Sequence, residues 1–542
     1  MGQAQFEAAV ASYFREWAER HPVAATAHGI HDYDHRLPEA SPAALEAERA
    51  LVRRFRDRVA GIEPESLTRA GRVDREAALY HADLELFRLA PGGWHERAAT
   101  APDTLGAALY LLFVRDFAPL PVRMESIARR MEAAPRFLAE SRALVTRPVR
   151  VWNQAALAAT EQLPDLLRLV VDTARERLPD RALVARLARA ADGVRLALRQ
   201  YADWLRGDVL PVAGDDFALG VDRFERLLTL RRLSLQADQI LALGERHLAE
   251  LTAFRAALAA KIDRTASVEA VLRGVKADGP KSFGAALERY RDSVREARAF
   301  VADRQVASLP PDESLLVEET PRYLRHLIPY AAYIPPGKYD RQHVGIYLVT
   351  PPADAAGLAE HSHAAIGNTT VHEGYPGHHL QLTWAIRHPS VIRTLASGAE
   401  FAEGWALYVE ELMQELGFRD AMANQLLMVN DLLWRAVRAV LDVKLATGRI
   451  SIPEAENALA EVTGMDRAGA SAEVLRYTLT PGQPLSYLVG KHLLQQLREE
   501  ARRRLGPEFT LRAFHDAMLR SGTLPIAILR QALEIELYEP DA

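Results

Sequence analysis

Apolar residues recur at three- and four-residue spacing along most of the chain, which predicts helices almost end to end. Residues 1–20 place Phe6, Ala9, Val10, Tyr13, Phe14 and Trp17 on one side of such a helix. Between 41 and 300, helical stretches alternate with short breakers such as Pro119-Leu120-Pro121 and Gly279-Pro280. LPDLLRLVVDTARERLP and RRLSLQADQILALGERHLAELTAFRAALAAK read as long amphipathic helices. No fixed-period repeat is present, so a solenoid is not expected. Further on, EFAEGWALYVEEL carries a broad apolar face of Phe401, Ala402, Trp405, Ala406, Val409, Leu412 and Met413. A helix over about 419–446 is expected to end before Gly448, and the next to run from Ser451 and Pro453 to Gly464. The tail from 506 reads as two packing helices.

The pattern changes character at QVASLPPDESL, residues 305–315, where Pro310-Pro311 interrupts the helices. It predicts an N-terminal helical region over 1–304 and a second region over 305–542, together forming one cleft. Gly345 to Thr350 reads as a short buried strand. The expected fold is mainly α: a large multi-helix body with a deep cleft and a small β element.

One stretch carries concentrated chemistry. HEGYPGHHLQ packs His372, Glu373, His378 and His379 into eight positions. Neutral imidazoles bind a metal, and a neighbouring carboxylate can take a proton from a metal-activated water. The H-E-x-x-H zinc pattern is absent, because Pro376 stands four residues after His372. On an unbroken helix His378 would point about 240° away from His372. Pro376 forbids such a helix and Gly377 permits unusual backbone angles. A bulge there brings His378 to the second ligand position, in preference to His379. Glu403, near the apolar side of EFAEGWALYVEEL, is the best third ligand, and Glu410, seven residues on, can support one of the ligands. His361 and His363 are expected to be exposed or supporting, and His81, His95 and His247 structural or exposed.

SAEVLRYTLTPGQPLSYLVGKHLLQQL predicts helix, Pro-Gly turn, helix. Tyr487 is the candidate donor to an oxyanion, with Tyr477 in reserve. Arg476 is the candidate for a substrate carboxylate, and His379 and Lys491 join it as candidate substrate-binding groups. HGIHDYDHRLPEASP near the start invites a second-metal reading through His28, His31, His35, Asp32 and Asp34. The plainer expectation is a surface loop with Asp turns and Ser41 capping the next helix.

AIGNTTVHEGYPGHHLQ followed by AEGWALYVEEL resembles the bacterial family catalogued as domain of unknown function 885, placed with gluzincin-like zinc metallopeptidases. AATAHGIHDYDHRLPEASPAA and RYTLTPGQPLSYLVGK extend the resemblance over most of the chain. It implies an α-helical metallohydrolase holding one Zn2+ on His372, His378 and Glu403, with Glu373 as base. The expected activity is hydrolysis of short peptides. The alternatives are a zinc amidohydrolase acting on a non-peptide amide or biosynthetic intermediate, and a catalytically silent binding protein on the same scaffold.

Composition narrows the partners. At 542 residues the chain can bury a large core. A net charge of −5 gives no support for nucleic-acid or anionic-membrane binding. The absence of cysteine excludes disulfides, thiolate nucleophiles and Cys-ligated zinc. The longest apolar run, Leu105 to Val114, is too short to span a bilayer. The first residues lack a basic, apolar leader pattern, and Phe6 breaks the myristoylation pattern. A cytoplasmic protein is therefore expected.

Overall fold

The computed structural model describes residues 2–538 apart from 94–95, 323–324, 326–327, 329, 353 and 355. The chain is mainly α with one small sheet. It forms two compact units that do not follow chain order. The first comprises Met1–Leu67, His81–Phe217 and Pro336–His343; the second comprises Thr68–Tyr80, Ala218–Pro335 and Val344–Ala542. The 305–315 stretch lies inside the second unit.

In the first unit, helices Leu120–Ser141, Arg150–Arg177 and Arg181–Trp204 pack on one another. Arg181–Trp204 shows why: Leu183, Leu187, Ala190, Val194, Leu198 and Tyr201 are buried at three- and four-residue steps. Asp180 caps it, accepting from the amides of Ala182 and Leu183. The first helix spans Gly2–Arg20 and buries Phe6, Ala9, Val10 and Tyr13, while Phe14 and Trp17 are half-buried. His81 is buried with its Nε2 2.9 Å from the Tyr13 hydroxyl; His95 lies outside the described residues.

The His-rich loop of this unit is a turn network. Asp34 is buried, accepts from the Thr26 hydroxyl at 2.7 Å and pairs with His31 Nδ1 at 2.9 Å. Arg130, fully buried, donates to Thr26 Oγ1 and to the Ala108 carbonyl. Ser41 caps helix Pro42–Ala60. Among the described residues no group of three metal-competent donors forms here.

The second unit contains the sheet, in strand order β1–β3–β2, with β1 Glu313–Glu319, β2 Ala331–Ile334 and β3 His343–Val349, the last begun by a residue of the first unit. β2 and β3 are antiparallel, with Ala331 opposite Val349 and Ile334 opposite Ile346. Helix Ala399–Glu415 crosses helix Ser486–Leu505 at a glycine pair. A Cβ on Gly404 would lie 2.4 Å from the Gly490 carbonyl carbon, and one on Gly490 would lie 1.9 Å from the Glu400 oxygen. Only glycines allow this backbone approach. Helix Met422–Ala446 packs on Ala237–Ile262. The latter begins six residues later than the sequence pattern suggests, because Arg232 has φ +59 and Gln236 caps the helix. The sequence from Leu358 to Tyr375 also reads as one helix, and the structure divides it. Ser362 ends a 3-10 turn and caps His363–Glu373.

Candidate metal centre

Helix His363–Glu373 ends on His372 and Glu373. The chain then turns back over its end: the Gly377 amide donates to the Val371 carbonyl at 3.0 Å. A Cβ on Gly377 would lie 1.9 Å from the His372 carbonyl oxygen. Only glycine fits there, and a second helix, His378–Ala385, starts immediately after it. The expected bulge is therefore a complete break between two helices. Trp405, fully buried, donates from Nε1 to the Pro376 carbonyl at 2.8 Å. The helix that carries Glu403 thus also holds the turn between His372 and His378.

His372, His378 and Glu403 each offer one donor atom, all within 4.8 Å of one another. Nε2 of His372 and of His378 lie 3.9 and 3.4 Å from Glu403 Oε2, and the two rings are edge-on with centroids 4.8 Å apart. Among the described residues this is the one cluster able to hold a metal ion. Glu410 Oε1 is 2.6 Å from His372 Nδ1. Donation from that Nδ1 leaves the lone pair on Nε2, aimed at the cluster. Glu403 is braced as well, accepting from the Gln483 amide at 3.2 Å through Oε1. Burial pushes the Glu403 carboxyl up, but the His378 hydrogen bond and the charges of His378, His372 and Arg438 outweigh it, bringing it down to about 2. Burial pulls His378 down, and its hydrogen bond to Glu403 with the charges of Glu403, Glu373 and Glu410 lifts it above the usual histidine range.

Glu373 is half-buried, and no described residue hydrogen-bonds or ion-pairs its carboxylate. Tyr487 lies beside the cluster: its ring is nearly parallel to that of His372, centroids 6.4 Å apart. Burial first, then the Glu403 charge, raise its pKa and keep the phenol protonated.

A family model described as "Bacterial protein of unknown function (DUF885)" matches residues 22–533. The chain belongs to the DUF885 family. Two solved structures share the fold. One, from Shewanella oneidensis, is described as a "putative lipoprotein of unknown function". It aligns over 97% of this chain and 99% of its own, at 21% identity and a TM-score of 0.80. The other, a "putative lipoprotein" from Colwellia psychrerythraea, aligns over 98% and 99%, at 19% identity and a TM-score of 0.86. At these identities the likeness speaks for the fold alone. No curated protein matches the chain. Among the described residues of this DUF885 chain, no helix is long and apolar enough to cross a membrane.

Five residues singled out from the sequence take other places in the structure. His379 was expected to touch substrate. It is fully buried, with Nε2 2.6 Å from Glu313 and Nδ1 3.0 Å from the Tyr333 hydroxyl, so neither ring nitrogen is open. Tyr477 is buried; its hydroxyl accepts from Arg438 Nε at 3.0 Å and Trp434 Nε1 at 3.3 Å, and its own proton is engaged by the Glu473 carboxylate. Arg476 gives Nη2 and Nε to Glu473 and Nη1 to the Gln483 side-chain oxygen, so it positions Gln483. Lys491 is buried against Glu411. His361 is buried beside the Tyr290 hydroxyl.

Sequence reasoning missed Gln483, Arg438, Asp442 and Glu313. Two of them had a visible signal. Arg438 and Asp442 stand four apart in AVRAVLDV, a run otherwise wholly apolar, where buried charges need partners. Asp442 accepts the amides of Gly482 and Leu485 at 2.9 and 3.0 Å. Arg231 clamps the same turn through the Gly482 carbonyl and Ser486, and pairs with Glu400 at 2.7 Å. The turn that presents Gln483 is thus held from both sides.

Proposed function

We propose that this chain is a zinc-dependent hydrolase of the gluzincin-like kind, acting on the amide bonds of short peptides. The observation that carries the proposal is the convergence of His372 Nε2, His378 Nε2 and Glu403 Oε2, with the unpaired carboxylate of Glu373 adjacent in sequence. Two imidazoles and one carboxylate form a catalytic-zinc donor set that leaves a coordination position for substrate or water. The Glu410–His372 pair is the support such a set requires, so the residues fit the ion. A bound zinc would supply Lewis-acid polarisation of the scissile carbonyl and of the attacking water.

The chain's own residues divide the remaining work. Glu373 accepts the proton of the attacking water and returns it to the leaving nitrogen. The protonated Tyr487 hydroxyl donates to the carbonyl oxygen as negative charge builds there. Gln483 holds Glu403 Oε1 and, at 3.4 Å, the Tyr487 hydroxyl, which fixes ligand and donor relative to each other.

The test joins metal analysis of the purified chain to a peptide-library digest read by mass spectrometry. About one zinc per chain and cleavage of short peptides are expected. Glu373→Gln should retain the metal and lose about 10²–10⁴-fold in turnover. Zinc without peptide cleavage would move the substrate to a non-peptide amide. A chain without metal would be a binding scaffold.

A further inference from the structure

Beside the cluster sits a cation that the mechanism above does not use. Arg438 is 6% exposed. Its guanidinium lies over Trp434, Cζ 4.1 Å from the ring centroid. Nε donates to the Tyr477 hydroxyl at 3.0 Å and Nη2 to Glu473 at 2.8 Å. Nη1 has no hydrogen-bond partner among the described residues. Glu473 is shared, because Arg476 Nη2 also donates to it at 2.9 Å. Two guanidiniums share this one carboxylate, and the Arg438 charge also reaches Glu403 of the cluster without a hydrogen bond to it.

The surroundings fix the plane of this guanidinium. Trp434 supports one face, while Tyr477 and Glu473 take two donor directions. A buried cation costs free energy unless its donors are met, so a pre-oriented but unspent Nη1 invites an anion. The complementary group is a carboxylate, the planar acceptor that a guanidinium fork matches best. Its distance from the chemistry is set by Tyr487. The Arg438 Cζ is 5.0 Å from the Tyr487 ring centroid, and the His372 ring lies 6.4 Å from that centroid. A carboxylate on Arg438 is therefore within about three extended residues of the metal cluster, at ~3.5 Å per residue.

We infer that Arg438 binds the free C-terminal carboxylate of the substrate, so that the enzyme cleaves amide bonds close to a C-terminus. The catalytic half of this inference rests on the hydrolase reading; the recognition half does not. Arg476, committed to Glu473 and Gln483, is not the group that takes the carboxylate.

Two measurements test it on the full-length chain. For binding, titration calorimetry compares 3-phenylpropanoate with 3-phenylpropanamide, neither of which contains a peptide bond. The acid should bind at least ~30-fold tighter, as expected for a buried charge-assisted pair. Arg438→Met should abolish the preference, and Arg438→Lys, which keeps the charge but not the fork, should restore part of it. Equal binding of the two probes to the wild-type chain, or an acid preference that survives in Arg438→Met, would overturn the assignment. For turnover, N-acetyl tripeptides ending in phenylalanine are compared as free acid and as C-terminal amide. The acid should have a kcat/KM at least ~30-fold higher. Equal cleavage of the two overturns the inference and leaves the hydrolase reading intact. Acid-selective binding with no cleavage of any peptide does the reverse. The wild-type comparisons do not depend on any variant folding.

Discussion

Two regions of this chain are rich in histidine and carboxylate, and among the described residues only one brings three metal-competent donors together. In the loop after Ala27, Asp34 meets Thr26 and His31, residues within eight positions of itself. Its acceptor capacity is spent locally, on a turn. In the second region the acids come from a different helix. Glu403 directs Oε2 at two imidazoles while Gln483 holds Oε1, and Glu410 fixes the tautomer of His372. Composition does not separate the two regions. Whether the acids arrive from elsewhere with an oxygen still unspent does.

The largest expected effect tests this contrast directly. His372→Ala should lose zinc altogether, whereas His31→Ala should leave the metal content unchanged, both read by elemental analysis of the purified chain. Equal metal loss in the two variants would erase the distinction. A finer test is Glu410→Gln. It should keep the zinc but weaken it about 10–100-fold in a chelator competition, the usual cost of losing a ligand's supporting partner. An unchanged affinity would reduce the Glu410–His372 contact to packing.

These residues were legible for a reason that also sets the limit of legibility. Pro376 and Gly377 announce a break in the helix, and Glu403 sits at the edge of an apolar face, so the grouping of His372, His378 and Glu403 could be anticipated from local pattern. The partner of His379 could not. Glu313 opens a strand more than sixty residues upstream, and no spacing rule connects the two. The mainly α architecture followed from periodicity. The two-unit division did not, because short segments such as Thr68–Tyr80 and Pro336–His343 belong by contact to a unit remote in sequence. Arg476 misled because a cation beside a Pro-Gly turn looks available until Glu473 is placed against it.

The glycine crossing gives the next test. Gly490→Ala would drive a Cβ into the Glu400 carbonyl, a clash that no side-chain rotation relieves. The helices must separate, at a cost of about 1–3 kcal/mol, visible as a lower Tm. Because Glu403 neighbours the crossing, zinc affinity should fall in parallel. Gly193→Ala, inside helix Arg181–Trp204 with nothing within 4 Å of its Cβ, should leave zinc affinity unchanged and raise Tm slightly, because alanine is favoured over glycine in a helix interior.

The smallest effect concerns the turn that presents Gln483. Asp442 accepts two backbone amides, which favour its charged form, yet burial outweighs them and raises its carboxyl to about 7. Its unfolded value lies near 3.9. A folded pKa above the unfolded one means that the native chain holds this proton more tightly. The contribution to stability is therefore complete below about pH 4 and is lost as pH rises through 7. Asp442→Asn removes the titration and keeps one acceptor. Urea melts from pH 4 to 8 should show that the wild type loses ~1–2 kcal/mol more than the variant across that window. A parallel pH dependence in the two would mean that Asp442 is already ionised in the folded chain and that its charge is met by Arg231 and Arg476, the cations whose fields pull it down.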